Sequence, residues 1–214
     1  KFDKGKPMMG FALGDVTIKA ELEIVREKGS GRNVLGWLRA GDQPTKHFLV
    51  IGAHVDHVGK GKRGSRAKKK DKYKVHPGAD DNASGIAVLL EIAQFLADLK
   101  KRGLLKMNFD LLFAAWSGEE IGLVGSGYYA RELEKSTKAV DENASLPLVA
   151  YLNLDMVGRP SDGRITAGSL ETASALGSTL ALAEPGMGIE IVRSEGRLPG
   201  GGGSDHMSLH GVQI

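Results

Sequence analysis

Residues 16–25 (VTIKAELEIV) alternate in character, with Val16, Ile18, Ala20, Leu22 and Ile24 on one side and Thr17, Lys19, Glu21 and Glu23 on the other. A period of two predicts a half-buried strand, antiparallel and close to a sheet edge. A turn at Gly29-Ser30-Gly31 follows, and residues 33–39 and 47–53 read as two further strands. In residues 84–99 the apolar set Ile86, Leu89, Leu90, Ala93 and Leu96 is flanked by Val88, Ile92, Phe95 and Leu99. That wide face predicts a well-buried helix. Residues 107–116 form a continuous apolar run, the signature of a central strand covered on both faces. Residues 125–133 read as helix, and 148–154 and 164–167 as strands. A helix over 170–183 would turn Leu170, Ala173, Leu176 and Leu180 inward, and 189–192 is again extended. Strands alternating with helices predict an α/β sandwich. No repeat and no second domain stand out, and 214 residues suffice for one domain with a full core.

Composition changes this picture in two places. The chain has no cysteine, so a metal would be held by His, Asp and Glu, and disulfides are excluded. Residues 60–75 (KGKRGSRAKKKDKYKV) carry nine Lys or Arg against one Asp, so the rest of the chain is net acidic although the whole is +3. With no apolar period, this segment reads as an exposed basic loop insertion. The solvated-loop reading stands beside a sharper one, a docking surface for acidic peptides, anionic polymers or a membrane. No nucleic acid is expected. No apolar run reaches the length of a membrane span. The chain starts at Lys1 and stops at Gly211-Val212-Gln213-Ile214, the opening of a strand, which suggests a piece lacking its C-terminal end.

The candidate chemistry lies where apolar strands run into acids and histidines. FLVIGA leads to His54-Val55-Asp56, LLFAAWSG to Glu119-Glu120, and LVAYLNL to Asp155. A fourth cluster, Ala79 to Gly85 (ADDNASG), opens the buried helix. Sites in open α/β sheets form at the carboxyl ends of strands. Carboxylates gathered there repel one another unless a cation offsets the charge, and Asp, Glu and His without Cys suit zinc or a similar divalent ion. Each piece alone has an ordinary reading. Glu-Glu suits a helix start, Asp80 to Ser84 suits N-capping, and Asp155 suits a turn. Ser204-Asp205-His206 invites a catalytic-triad reading, but triad members are rarely sequence neighbours. It is the ordered conjunction of five clusters that carries weight.

That order resembles the co-catalytic di-zinc aminopeptidase family, which includes bacterial leucyl aminopeptidases, glutamate carboxypeptidases and glutaminyl cyclases. The matching stretches are GAHVDHVG (52–59), HPGADDNASG (76–85), FAAWSGEEIGLVGS (113–126), LNLDMVG (152–158) and GGSDHMSL (202–209). The resemblance implies a mixed, mostly parallel central sheet with helices on both faces, in one catalytic domain over 1–214. It implies two zinc ions bridged by Asp80, with His54 and Asp155 on one and Glu120 and His206 on the other. Glu119 would be the general base, and Asp56 would stand behind His54 and orient its ring. The Asp80-Asp81 peptide bond would be cis. Peptides would be the substrates and lose their N-terminal residues. A carboxypeptidase or dipeptidase, a glutaminyl cyclase and a non-catalytic binding module remain the alternatives. An extracytoplasmic location and accessory domains outside this sequence are further expectations from the resemblance. His57 and His76 are expected to flank ligands without binding metal, His210 to be structural, and Trp116, Tyr128 and Tyr129 to be core or pocket wall. Gly200–Gly203 lacks the Lys-Ser/Thr of a phosphate loop and would lend mobility to a loop carrying His206.

Overall fold

The computed structural model describes residues 14, 15, 17, 19–23, 28–60, 74–160, 163–170, 174–183, 188–194 and 203–212. The chain divides into two units, Lys1–Ser30 and Gly31–Ile214. In the first, Val16, Ile18, Ile24 and Val25 of the expected strand lie outside the described residues. Residues 19–23 carry no strand, and Leu22 is exposed. Alternation supplies an amphipathic ribbon, but a strand also needs a partner.

The second unit follows the predicted alternation. Strand β1 is Val34–Leu38, β2 Phe48–His54, β3 Asp110–Trp116 and β4 Leu148–Asn153. They form one sheet in the order β1-β3-β2-β4, with β1 antiparallel to β3 and the other pairs parallel. Strands β5 (Arg164–Gly168) and β6 (Glu190–Ser194) pair in parallel as a separate two-stranded sheet. The helices are α1 (Gly85–Lys101), α2 (Val124–Val140), α3 (Ser174–Ala183) and the short α4 (His206–His210). The expected mixed, mostly parallel sheet with helices on both faces is therefore what forms.

Alternation along β2 divides the core between two faces. Phe48 and Val50 join Leu112, Ala114, Trp116 and Leu148 beneath Ala130 of α2 and Leu209 of α4. Ile51 and Ala53 face the other way and meet Leu89, Ile86 and Ile92 of α1. Helix α1 departs from expectation. Leu89 is buried, but Leu90 and Phe95 are 63% and 62% exposed. Its wide apolar face exceeds what the sheet covers among the described residues. With the preceding turn, Ala79–Lys101 is 23 residues long and apolar enough, by length and composition alone, for a membrane span. The earlier expectation of no such run is corrected in that sense. Asp81 and Asn82 inside the segment are non-helical, and α1 proper meets the sheet through Ile86, Leu89 and Ile92.

Other differences are local. β3 starts at Asp110, not residue 107, because the Asp110 carboxylate is tied down there. α2 is longer than the 125–133 expected. Helix α3 starts at Ser174; the side chains of Ala173 and Leu176 lie outside the described residues.

Candidate metal centre

Parallel pairing puts the carboxyl ends of β2, β3 and β4 at one edge. His54 pairs with Trp116, and the ladder continues as Val55 N–H donates to Trp116 O and Leu154 N–H to Gly52 O, both 2.8 Å. The residues just beyond these ends therefore converge. Ligand-capable atoms of His54, Glu119 and Asp155 lie within 4.8 Å of one another, and so do those of His57, Asp81 and Glu120. Asp81 Oδ1 links the groups, 3.2 Å from His54 Nε2 and 3.9 Å from His57 Nδ1. His54 Nε2 is 3.4 Å from Asp155 Oδ1.

The structure places Asp81 in the cluster, and not Asp80 as expected from the motif. The Asp80 carboxylate turns away, accepting from Gly158 N (2.9 Å) and Arg159 Nε (2.7 Å). Burial would raise its pKa, but the bonds from Arg159 and Gly158 hold it below the usual value. Asp80 thus clasps the segment after β4 to the turn before α1. Ser84 Oγ reinforces the clasp by donating to Asp80 O at 2.6 Å and accepting from Val157 N at 3.1 Å. The cis peptide bond is likewise one residue later, at Asp81-Asn82. Asn82 ties the same segments: its Nδ2 donates to Leu154 O (2.9 Å), and its Oδ1 accepts from Gly85 N (3.0 Å) and Met156 N (3.3 Å). Met156, directly after Asp155, adopts φ 54, a left-handed conformation uncommon for a side-chain-bearing residue.

Asp56 stands on the Nδ1 side of the His54 ring, its Oδ1 3.9 Å from Nδ1 and beyond hydrogen-bond reach. Its Oδ1 accepts from Gly118 N (2.8 Å) and Glu119 N (3.0 Å), and Oδ2 from Glu120 N (3.3 Å). It gathers the backbone of the Glu119-Glu120 turn. The backbone oxygen of Asp56 does the ring's work, 3.0 Å from His54 Nδ1. A carbonyl only accepts, so Nδ1 carries a proton and Nε2 is the nitrogen turned toward the cluster.

His206 begins α4, half-buried, and stands outside both groups. His57, expected only to flank the site, lies 2.7 Å from Glu120 through Nδ1 and Oε1. His57 and His76 rings are 6.1 Å apart. Exposed His210 closes α4, and Gly200–Gly202 lie outside the described residues. Trp116 is buried and Tyr129 packs on it, whereas Tyr128 is exposed.

The electrostatics are those of crowded carboxylates. Burial, with the Asp205, Asp155 and Glu120 charges, pushes Glu119 up to about 7 against the opposing pull of His54. Burial lowers the His54 pKa, but the adjacent Asp155 carboxylate and the Glu119 charge outweigh it and raise the ring to about 9. Asp205 is pushed to about 6, chiefly by burial. Burial also depresses His206. Several buried atoms have no hydrogen-bond partner: His57 Nδ1, Glu120 Oε1, Asp155 Oδ1 and both oxygens of Asp205. His57 Nδ1 and Glu120 Oε1 are close but not aligned for a hydrogen bond. Each of the two groups therefore holds an unpartnered buried carboxylate oxygen beside a histidine nitrogen, which is the donor set a divalent cation satisfies. Asp81, His57 and Asp205 were legible only as neighbours of residues singled out by motif.

Known proteins of similar sequence and fold include peptidases. An aminopeptidase of Pseudomonas aeruginosa is 34% identical over 149 residues, covering 70% of this chain and 22% of that protein. A probable lipoprotein aminopeptidase of Mycobacterium tuberculosis is 30% identical over 162 residues, 74% of this chain and 26% of that protein. The chain thus spans about a quarter of the length of these relatives. A zinc aminopeptidase from Bacillus subtilis superposes with a TM-score of 0.59 at 26% identity, over 85% of this chain and 38% of the other. The family described as Peptidase family M28 matches residues 33–214, and the chain belongs to that family.

Proposed function

We propose that this chain carries the catalytic centre of a zinc-dependent aminopeptidase holding two zinc ions. The observation that carries the reading is the pair of histidine–carboxylate groups joined through Asp81 at the sheet's carboxyl edge. His54, Asp81 and Asp155 would hold one ion. Asp81 and Glu120 would hold the other with a histidine. The motif resemblance assigns that place to His206, and the close approach to Glu120 favours His57. Zinc content of His57→Ala and His206→Ala separates the two: the variant that loses about half of its zinc identifies the ligand.

When bound, zinc acts as a Lewis acid toward the scissile carbonyl and toward water. The protein supplies the proton transfers. Glu119 is half-buried among like charges, so its carboxylate takes a proton from the attacking water readily at neutral pH and returns it to the leaving amine. Asp56 holds the Glu119 and Glu120 backbone, so both side chains enter the cluster from a fixed turn.

Peptides are the substrates on this reading. The nine Lys or Arg of residues 60–75 support a contact between that segment and acidic peptides or another anionic surface. Similarity to a probable lipoprotein aminopeptidase supports an extracytoplasmic location. The test is a mixed peptide pool incubated with zinc-loaded protein and read by mass spectrometry, with Glu119→Gln as blank. Loss of single N-terminal residues is expected. Loss from the C-terminus, or ammonia loss from N-terminal Gln, would instead indicate the carboxypeptidase or cyclase reaction.

A further inference from the structure

A chain of side-chain hydrogen bonds runs through the core and ends on Asp155. Trp116 Nε1 donates to the Tyr151 hydroxyl (3.0 Å), which donates to Asn153 Oδ1 (2.6 Å). Asn153 Nδ2 donates to Ser204 Oγ (2.8 Å), and Ser204 Oγ donates to Asp155 Oδ2 (2.7 Å). Chemistry dictates the direction. An indole nitrogen only donates, so the Tyr151 oxygen accepts from it and sends its single proton onward. That proton needs an acceptor, which orients the Asn153 amide with its oxygen toward Tyr151 and its nitrogen toward Ser204. Ser204 accepts there and gives its own proton to the carboxylate. Reversing a link would set donor against donor or leave two acceptors facing each other.

The chain of bonds also crosses a strand. Trp116 is on β3 and Tyr151 on β4, with β2 between them. The crossing passes over Gly52, where a Cβ would stand 2.6 Å from Trp116 Nε1 and 2.7 Å from the Tyr151 hydroxyl. Glycine is needed at this position for space. The outcome is felt at Asp155. Because Ser204 takes Oδ2, Oδ1 is the atom presented to His54 Nε2, buried and without a hydrogen-bond partner.

We propose that Tyr151, Asn153 and Ser204 are positioning residues, which select the Asp155 oxygen that faces the metal and hold it there. This role rests on the zinc reading above. Buried hydrogen-bond chains polarise their members, and partners of metal ligands tune affinity as well as orientation.

Zinc affinity, measured by competition with a chromophoric chelator, tests the role without relying on turnover. Ser204→Ala is expected to weaken binding about 10–100-fold, while Ser204→Thr, which keeps the hydroxyl, stays within about threefold of wild type. Tyr151→Phe, two links further away, should weaken it about tenfold. Tyr129→Phe removes a hydroxyl from a ring that packs on Trp116 outside the chain of bonds, and should leave affinity unchanged. A second readout uses metal-free protein. The sequence has two tryptophans, so Trp37→Phe assigns the Trp116 indole N–H resonance. That resonance should shift in Ser204→Ala and return in Ser204→Thr. Should Tyr151→Phe fail to fold, the Ser204 pair decides alone. Zinc uptake by wild type with unchanged affinity in Ser204→Ala overturns this role by itself. Wild-type protein that takes up no zinc overturns the zinc reading and this role with it.

Discussion

Asp80 and Asp81 are chemically identical neighbours that the fold turns in opposite directions. Asp80 is bonded to Arg159 and Gly158, whereas Asp81 faces His54. Asp81→Asn should therefore release most of the bound zinc, measured by metal analysis after dialysis. Asp80→Asn should keep the zinc and lose about 1 kcal/mol of stability, since Arg159 is largely exposed. The reverse outcome would restore the assignment expected from the motif. Glu119→Gln keeps the size of the side chain and removes the base. Turnover should fall at least about 100-fold with zinc content unchanged, and near-normal turnover would sink the proton-transfer role.

Among the elements, β3 shows how a buried acid marks a boundary. Asp110 is 1% exposed. It accepts from Arg39 Nη1 (2.8 Å), Ala40 N (2.7 Å) and Thr45 N (3.1 Å), pinning the loop between β1 and β2 to the start of β3. Burial alone would raise its pKa, but these bonds outweigh it and hold the carboxyl below its ordinary value. A depressed folded-state pKa gives stability that is complete above the unfolded value of about 3.9 and lost as pH falls through the folded value. Asp110→Asn should thus cost about 2–3 kcal/mol at pH 7, with the gap from wild type closing below about pH 4 in denaturant titrations. A gap independent of pH would assign the effect to packing instead. Helix α1 gives the complementary lesson. Its apolar face was legible, but the exposure of Leu90 and Phe95 depends on what lies opposite.

For the whole molecule, charge is unevenly distributed along the sequence, with one basic segment in a chain otherwise net acidic. If residues 60–75 attract acidic peptides, KM for such substrates should rise as salt goes from about 0.05 to 0.5 M, with neutral peptides little affected. Equal salt dependence for both would leave the segment a solvated loop. Periodicity and motif order by themselves determined the α/β class, the strands and helices of residues 33–192, and the convergence of His54, Glu119, Glu120 and Asp155. They could do so because side-chain period and strand-end position are local properties, and parallel pairing carries strand ends to a common edge. The sequence could not determine which of two adjacent aspartates faces inward, that Asp56 grips a backbone turn, or that Trp116 and Tyr151 meet over Gly52. Those depend on contacts between segments 35 to 79 residues apart, where a single peptide unit reverses a side chain and only the packed partners decide which way it points.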